Sequence, residues 1–87
     1  LIKCIDILEK CNVKEVWCLI THGIFSDPAI TRINNCNILK RMVVINTIPQ
    51  NNNIKKSDKI IVLDCSELLS NVINCLNTGD SISSIFI

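Results

Sequence analysis

Three short polar segments hold the candidate site residues of this sequence, and each directly follows an apolar run. They are Thr21-His22-Gly23, Asn46-Thr47 and Asp64-Cys65-Ser66. Imidazole, carboxylate and thiol groups can move protons or act as nucleophiles, whereas hydroxyl and amide groups hold ligands by neutral hydrogen bonds. No spacing selects one nucleophile and base, because the single histidine, His22, could pair with any of six cysteines. The pattern therefore predicts where a site lies and leaves its reaction open.

The common catalytic and phosphate-binding motifs are absent from the sequence. It contains no G-x-x-x-x-G-K-[ST], no G-x-G-x-x-G and no G-x-S-x-G. With no C-x2-C pair and one histidine, it also predicts no metal site. A structural role competes at each polar position: His22 as a hydrogen-bonding side chain, Asn46 as the cap of a strand end, and Ser66 as a helix N-cap.

The six cysteines are even in number, which could indicate a disulfide scaffold. Against this, the chain has long apolar segments and only two glycines and two prolines, whereas disulfide miniproteins replace a core with bridges and turns. Cys18 lies inside the apolar run of residues 16–20, where a small buried hydrophobe fits best. We expect reduced thiols and a cytoplasmic protein.

Hydrophobic periodicity predicts the elements that must position these segments. In chain order they are a helix over residues 1–12, a strand over 16–20, a short helix capped by Ser26 and ending near residue 34, a strand over 42–45, a polar loop that includes 51–53, a strand over 59–63, and a helix from Ser66 to a stop at Gly79. Short continuous apolar runs are typical of parallel strands covered on both faces. The predicted fold class is α/β, with three parallel strands and flanking helices, and ligands of such sheets bind beyond the carboxyl ends of the strands.

Three helices are too few to cover both faces of this sheet. We therefore expect part of the cover to come from residues outside this sequence or from a partner. The first helix also has no capping residue before it, which is typical of a chain that begins inside a larger unit. The sequence is accordingly predicted to be a fragment.

Composition and charge exclude several classes of protein. Apolar residues make up 48% and charged residues 20% of the chain, so it folds rather than staying disordered. The net charge of +1 comes from scattered basic residues, which argues against a nucleic-acid partner. No apolar run is long enough to cross a bilayer, and no basic segment precedes an apolar leader. We predict no nucleic-acid partner and no membrane partner.

Four segments carry a family resemblance. They are residues 21–30 (THGIFSDPAI) continuing through 32–35 (RINN), residues 43–50 (VVINTIPQ), residues 59–66 (KIIVLDCS) and residues 77–86 (NTGDSISSIF). In this order and spacing they closely resemble the C-terminal region of ribose-phosphate pyrophosphokinase, also called phosphoribosyl pyrophosphate synthetase. One departure is Asp27, where the family usually has glycine; Asp is acceptable there provided that its backbone is not left-handed.

The resemblance implies a fold and a reaction. The family transfers pyrophosphate from ATP to ribose 5-phosphate, requires Mg²⁺, and forms homo-oligomers from dimers to hexamers. Its subunit resembles two phosphoribosyltransferase-type domains in tandem, and residues 1–87 resemble the C-terminal part of the second domain. The ribose-phosphate loop, the basic catalytic loop and the ATP and magnesium ligands lie upstream in the family, so no catalytic residue is expected in this fragment.

The resemblance also implies roles for individual residues. Five of them are expected in loops at the edge of the active site: Thr21, His22, Gly23, Asn46 and Thr47. Three more match the allosteric site at which phosphate activates and ADP inhibits: Ser81, Ser83 and Phe86. On composition alone, the tail could instead pack through its apolar side chains with its serines in water. A regulatory, non-catalytic synthetase-associated subunit and a stand-alone interaction module remain alternatives to the enzyme.

Overall fold

Helices and strands alternate along the chain in the computed structural model, which describes residues 1–86; Ile87 lies outside the described residues. The elements are α1 (Ile2–Lys10), β1 (Val16–His22), α2 (Ala29–Asn35), β2 (Leu39–Ile45), α3 (Asn51–Lys56), β3 (Ile60–Leu63), α4 (Ser66–Thr78) and a 3-10 helix (Ile82–Phe86). The strands form one parallel sheet in the order β1-β2-β3. The predicted α/β class with three parallel strands and flanking helices is confirmed.

The register of the sheet places all three strand ends at one edge. Leu19 pairs with Val43, and Val43 pairs with Ile61 on the other side. Ile45, the last residue of β2, pairs with His22 of β1 and Leu63 of β3. Because the strands are parallel, the polar segments that follow them emerge side by side, as the sequence predicted.

One face of the sheet carries the core. Side chains alternate between the two faces of a strand, so Leu39, Met42 and Val44 of β2 reach the same covered face across an irregularity in pairing near the start of the strand. They are at most 1% exposed, and they pack with Ile5 of α1 and Ile33 of α2. Helix α1, which precedes β1, and helix α2, which connects β1 to β2, therefore contribute to one core.

The opposite face of the sheet is open, and we call it the open face. It comprises Trp17 and Leu19 of β1, Val43 of β2, and Ile61 and Leu63 of β3. Leu19 is 74% exposed and Trp17 is 55% exposed. The expectation that the strands are covered on both faces is not met within one chain, as the shortage of helices predicted.

The last part of the chain projects from the sheet, and we call residues 66–86 the C-terminal arm. None of its helical residues is buried, and α4 packs mainly against the 3-10 helix that follows it. The radius of gyration is 16.7 Å, whereas a compact chain of this length has about 12 Å. The arm therefore accounts for the elongated shape of 50 × 30 × 17 Å.

Local predictions at the helix ends met mixed outcomes. Gly79 ends α4 in the left-handed conformation, with φ of 75°, as expected. Ser26 and Ser66 were predicted as N-caps, and both predictions are wrong. Pro28 takes the cap position of α2, and Ser66 is the first residue of α4 after Cys65. Neither serine side chain caps its helix. The backbone amide of Ala29 donates to the carbonyl of Ser26, and the backbone amide of Ser66 donates to the carboxylate of Asp64.

One further prediction is wrong. The polar loop over residues 51–53 is the start of α3, which is stabilised locally by the Ile54 amide bonding the Gln50 carbonyl. The first helix, predicted over residues 1–12, is α1, and in it only Ile5 is buried while Leu8 is 39% exposed. Contact with the sheet is limited to the start of α1, where Ile2 also packs against the core.

Asp27, which stands where the family usually has glycine, does not have a left-handed backbone. Among residues 1–86, positive φ angles occur at Asn12, Phe25 and Gly79, and Asp27 is not among them.

The six cysteines are free thiols. Within residues 1–86, no helix combines the length and apolar character that crossing a bilayer would take.

Candidate functional site

The ends of β1 and β2 are joined through the side chain of Thr47. Its hydroxyl donates to the carbonyl of Thr21 at 3.1 Å and lies 2.7 Å from Nδ1 of His22. A threonine hydroxyl has one proton, and Thr47 donates it to the carbonyl of Thr21. The hydrogen bond between Thr47 and His22 therefore needs the Nδ1–H group of His22 as its donor. In neutral His22 this arrangement leaves Nε2 as an unprotonated acceptor.

Gln50 ties the loop after β1 to the loop after β2. Its side chain is 3% exposed, and Nε2 donates to the carbonyl of Gly23 at 2.6 Å and to that of Ile48 at 3.2 Å. Asn53 of α3 donates to Oε1 of Gln50 at 2.8 Å. A Cβ at Gly23 would lie 2.7 Å from a ring carbon of Phe25 and 2.8 Å from Nε2 of Gln50, so this close approach requires glycine.

The ends of β2 and β3 are joined by Asn46 and Asp64. Asn46 donates to Oδ1 of Asp64 at 3.0 Å and accepts a bond from the amide of Cys65 at 3.0 Å. Oδ1 of Asp64 also accepts bonds from the amide and hydroxyl of Ser66. The hydrogen bonds from Ser66, followed by the one from Asn46, lower the pKa of the Asp64 carboxyl below its usual value.

These contacts make one polar network across all three strand ends. The structure brings together the five residues predicted for the edge loops, Thr21, His22, Gly23, Asn46 and Thr47. All except Gly23 are exposed, so a ligand can reach them. The network offers neutral donors, an imidazole acceptor and a carboxylate, and its side chains include no lysine or arginine. That set suits sugar hydroxyls better than a phosphate group.

Basic side chains occur instead at a cleft beside the network. The cleft has a volume of about 330 Å³ and lies between the first turn of α1 and the loop before α2. Lys3, Arg32, Ser26 and Asp27 are among its lining residues. Because the carboxylate of Asp27 offsets one of the two cations, the cleft is less positive than its basic residues alone would make it.

The residues predicted for an effector site lie elsewhere, on the C-terminal arm. The hydroxyls of Ser81 and Ser83 are 2.7 Å apart, and Ser84 donates to the carbonyl of Ser81 at 3.0 Å. The ring of Phe86 is 70% exposed. Helix α4, about 20 Å long, separates this group from the strand ends. The structure therefore does not bring the two predicted groups of residues together.

Sequence reasoning missed one residue that organises the edge, Gln50. It had no distinguishing signal, because a buried glutamine cannot be told from a surface one by residue type. Asp64 was predicted in a candidate site segment, and the structure adds its role as the acceptor that gathers Asn46 and Ser66.

The described residues do not fit a magnesium site. Across residues 1–86, no three or more His, Cys, Asp or Glu side chains lie close enough to hold a metal ion. Asn46 and Thr47 offer neutral oxygens, and Asp64 is the one carboxylate in the network. Any magnesium that serves this site needs ligands from other residues.

The fold and the network define a class: a parallel α/β unit whose polar site lies beyond the carboxyl ends of its strands. The family model described as "Phosphoribosyl synthetase-associated domain" matches residues 1–87, and the chain belongs to this family. A similar solved structure is phosphoribosylpyrophosphate synthetase from Mycobacterium smegmatis, with 29% identity and a TM-score of 0.81 over 90% of this chain. The chain spans 26% of the length of that protein. The suspected relationship to the ribose-phosphate pyrophosphokinase family is confirmed.

Proposed function

We propose that this chain is the C-terminal part of the second phosphoribosyltransferase-type domain of a cytoplasmic ribose-phosphate pyrophosphokinase. Such an enzyme transfers pyrophosphate from ATP to ribose 5-phosphate and makes phosphoribosyl pyrophosphate for nucleotide synthesis. The observation that carries the proposal is the family match along residues 1–87, together with the polar network built by the family-like segments at the strand ends.

In this proposal the strand ends line the edge of the active site. His22 and Thr47 offer an acceptor and a hydroxyl that suit the sugar hydroxyls of ribose 5-phosphate. Its phosphate is assigned to the ribose-phosphate loop, which the family has upstream of these segments. ATP and Mg²⁺ are assigned to the rest of a longer polypeptide, since residues 1–86 hold no metal-binding cluster. The 87-residue chain alone is therefore expected to be inactive.

The arm has a separate role in the proposal, as part of an effector site for phosphate and ADP in a homo-oligomer. Support comes from the resemblance and from the clustered, exposed hydroxyls of Ser81 and Ser83. Phe86, in the same 3-10 helix as Ser83, has an exposed ring that suits a nucleotide base. Replacing both serines by alanine should weaken phosphate activation about tenfold or more, the result of losing one or two hydrogen bonds.

A chimeric enzyme tests the proposed function. The C-terminal quarter of the Mycobacterium smegmatis synthetase is replaced by this chain, and AMP release is measured with ATP and ribose 5-phosphate. We expect activity that requires ribose 5-phosphate. The double change His22→Phe and Thr47→Val in the chimera should lower kcat/KM for ribose 5-phosphate by about tenfold or more, because two hydrogen-bonding groups are lost. The matched control is Asn52→Ala, an exposed residue outside the network.

The outcomes separate the enzyme from its alternatives. A folded, assembled chimera without AMP release would contradict the proposal. An inactive chimera that changes the kinetics of the native synthetase when the two are mixed would favour the regulatory subunit. An inactive chimera with no effect on the native enzyme would favour an interaction module.

A further inference from the structure

The ring of His22 lies at the carboxyl edge of the sheet, where the proposed function places the sugar. We propose that Nε2 of His22 is the general base of the reaction and takes the proton of the hydroxyl that attacks ATP. This role rests on the proposed function, and it assigns a catalytic residue where the resemblance alone implies none. It also goes beyond a hydrogen bond, because a base must accept the proton that the hydroxyl loses.

Two hydrogen bonds orient the ring. The hydroxyl of Thr47 lies 3.1 Å from the carbonyl of Thr21 and 2.7 Å from Nδ1 of His22. Both bonds exist together only when Thr47 donates to Thr21 and Nδ1–H of His22 donates to Thr47, since a carbonyl cannot donate. The lone pair of the neutral ring is therefore on Nε2. Through Thr47, the main chain of Thr21 selects which ring nitrogen can accept a proton.

Nε2 of the ring is open to a ligand. Among residues 1–86, the bond between Nδ1 and Thr47 is the one side-chain hydrogen bond of His22. The side chain of His22 is exposed, and so is that of Asn46, which bridges to it in the backbone. A hydroxyl that approaches beyond the strand ends therefore meets an unshared lone pair on Nε2.

The other titratable groups of the network are less suited to take a proton. Oδ1 of Asp64 already accepts bonds from Ser66 and Asn46, and these bonds lower the pKa of the carboxyl, which makes it a weaker base. The thiol of Cys65 donates to Oδ1 of Asn46 at 3.2 Å, so its proton is engaged. Imidazole is the side chain most often used as a general base, since it changes charge near neutral pH.

The network accommodates the protonated ring without rearrangement. When Nε2 takes the proton, Nδ1–H still donates to Thr47, so both bonds that orient the ring are kept. Asp64 is the one carboxylate of the network and is bonded to Asn46, which lies beside His22. The arriving proton makes the network neutral in net charge, and the carboxylate favours the charged ring.

In the proposed step, the hydroxyl on the anomeric carbon of ribose 5-phosphate attacks the β-phosphorus of ATP. The O–H bond breaks and its proton passes to Nε2 of His22, while the oxygen forms a bond to the β-phosphorus. The bond from that phosphorus to the oxygen shared with the α-phosphate breaks, and its electron pair leaves with AMP. His22 returns the proton to water after the products have left.

Single-turnover AMP formation by the chimeric synthetase tests this role. His22→Gln keeps an amide oxygen that can accept a hydrogen bond from a sugar hydroxyl, but an amide does not take the proton. We expect His22→Gln to slow the chemical step by about 100-fold or more and to change KM for ribose 5-phosphate by less than about threefold, because a base acts only in the transition state. A glutamine variant that keeps its rate would overturn the role.

Imidazole added to His22→Ala gives a second measurement. The shortened side chain leaves exposed space at the strand ends, so free imidazole can enter and take the proton. We expect imidazole to raise the rate of this variant by about tenfold or more. The control is Asn52→Ala, at an exposed residue outside the network, which should match the wild-type chimera with and without imidazole. An alanine variant that imidazole does not accelerate would overturn the base role.

The outcomes separate this role from the proposed function. A folded, assembled chimera that forms no AMP contradicts both, whereas an active chimera with an equally active His22→Gln variant contradicts the base role alone. Nitrogen magnetic resonance of the His22 ring in the 87-residue chain checks the geometry without the reaction. We expect the proton of the neutral ring on Nδ1, and a shift toward Nε2–H in Thr47→Val, where Nδ1 loses its acceptor. A wild-type ring protonated on Nε2 would overturn the role.

Discussion

The two ends of this chain use similar side chains in opposite ways. In the sheet unit, residues 1–65, isoleucine, leucine, valine and methionine are buried beneath α1 and α2, and the polar strand ends are tied together. In the arm, leucine and isoleucine recur at helical spacing and stay exposed, with no buried residue in α4. The sheet unit covers one of its two faces with its own helices, whereas no residue of α4 is covered to the point of burial.

The comparison explains why the candidate site is built where it is. A site needs side chains held at fixed separations, and the strand ends achieve this through bonds that cross from β1 to β2 and from β2 to β3. The serines of the arm have bonds only among themselves and to the nearby backbone. An effector site on the arm therefore depends on how the arm is docked.

The largest expected effect is the difference in unfolding free energy between a side-chain truncation in the core and a similar truncation in the arm. Met42→Ala, at a residue with no exposure, should lower the free energy of unfolding by about 2 to 5 kcal/mol because it leaves a cavity. Ile73→Ala in the arm should cost well below half of that under conditions where the chain is monomeric, since the side chain is already 65% exposed. Urea unfolding of both variants measures the difference. Equal costs would show that the arm belongs to the same core.

A second prediction concerns the link between the two loops of the site. Gln50→Ala should lower the free energy of unfolding by about 1 to 3 kcal/mol, because the buried carbonyl of Gly23 loses its donor. It should also change the nuclear magnetic resonance signals of the His22 ring, whose loop Gln50 holds. Asn52→Ala, two residues further on and exposed, is the control. Unchanged His22 signals in the Gln50 variant would show that the loops are held independently.

Sequence patterns predicted the sheet unit better than the arm, and the reason is physical. Apolar runs such as residues 42–45 predict a parallel strand because they are too short for a helix and are typical of such strands. The same reasoning placed polar groups beyond the strand ends. The buried state of Gln50 and the exposure of Leu76 were not predictable, because both depend on what another segment covers. Helix α3 was missed since its start is stabilised by Gln50 and not by a recognisable cap.

Gly79→Ala tests the local stability of the arm. A Cβ at this position meets nothing within 4 Å, so the cost is that of a left-handed backbone alone, about 1 to 2 kcal/mol. The helical signal of α4 in circular dichroism should fall while the urea midpoint of the sheet unit stays the same. Ser70→Ala, on the exposed surface of α4, is the control. A lowered midpoint for the whole chain would join the two regions into one cooperative unit.

A smaller effect concerns Asp64, whose pKa is lowered by the bonds from Ser66 and Asn46. A carboxyl with a lowered folded pKa stabilises the fold above its unfolded pKa, and this contribution is lost as the pH falls through the folded value. The melting temperature of Asp64→Asn should therefore be lower than that of the wild type at neutral pH, and the difference should shrink in acid. Asp58→Asn, an exposed aspartate before β3, provides the comparison. A difference that is the same at every pH would assign the effect to shape and not to charge.

Hydrogen exchange tests most directly whether the core under the sheet and the arm differ in stability as their burial does. Amides of β2 should be strongly protected, because Leu39, Met42 and Val44 of this strand lie in the core. Amides of α4 should exchange much faster, because no residue of this helix is buried. Equal protection of β2 and α4 would contradict this account.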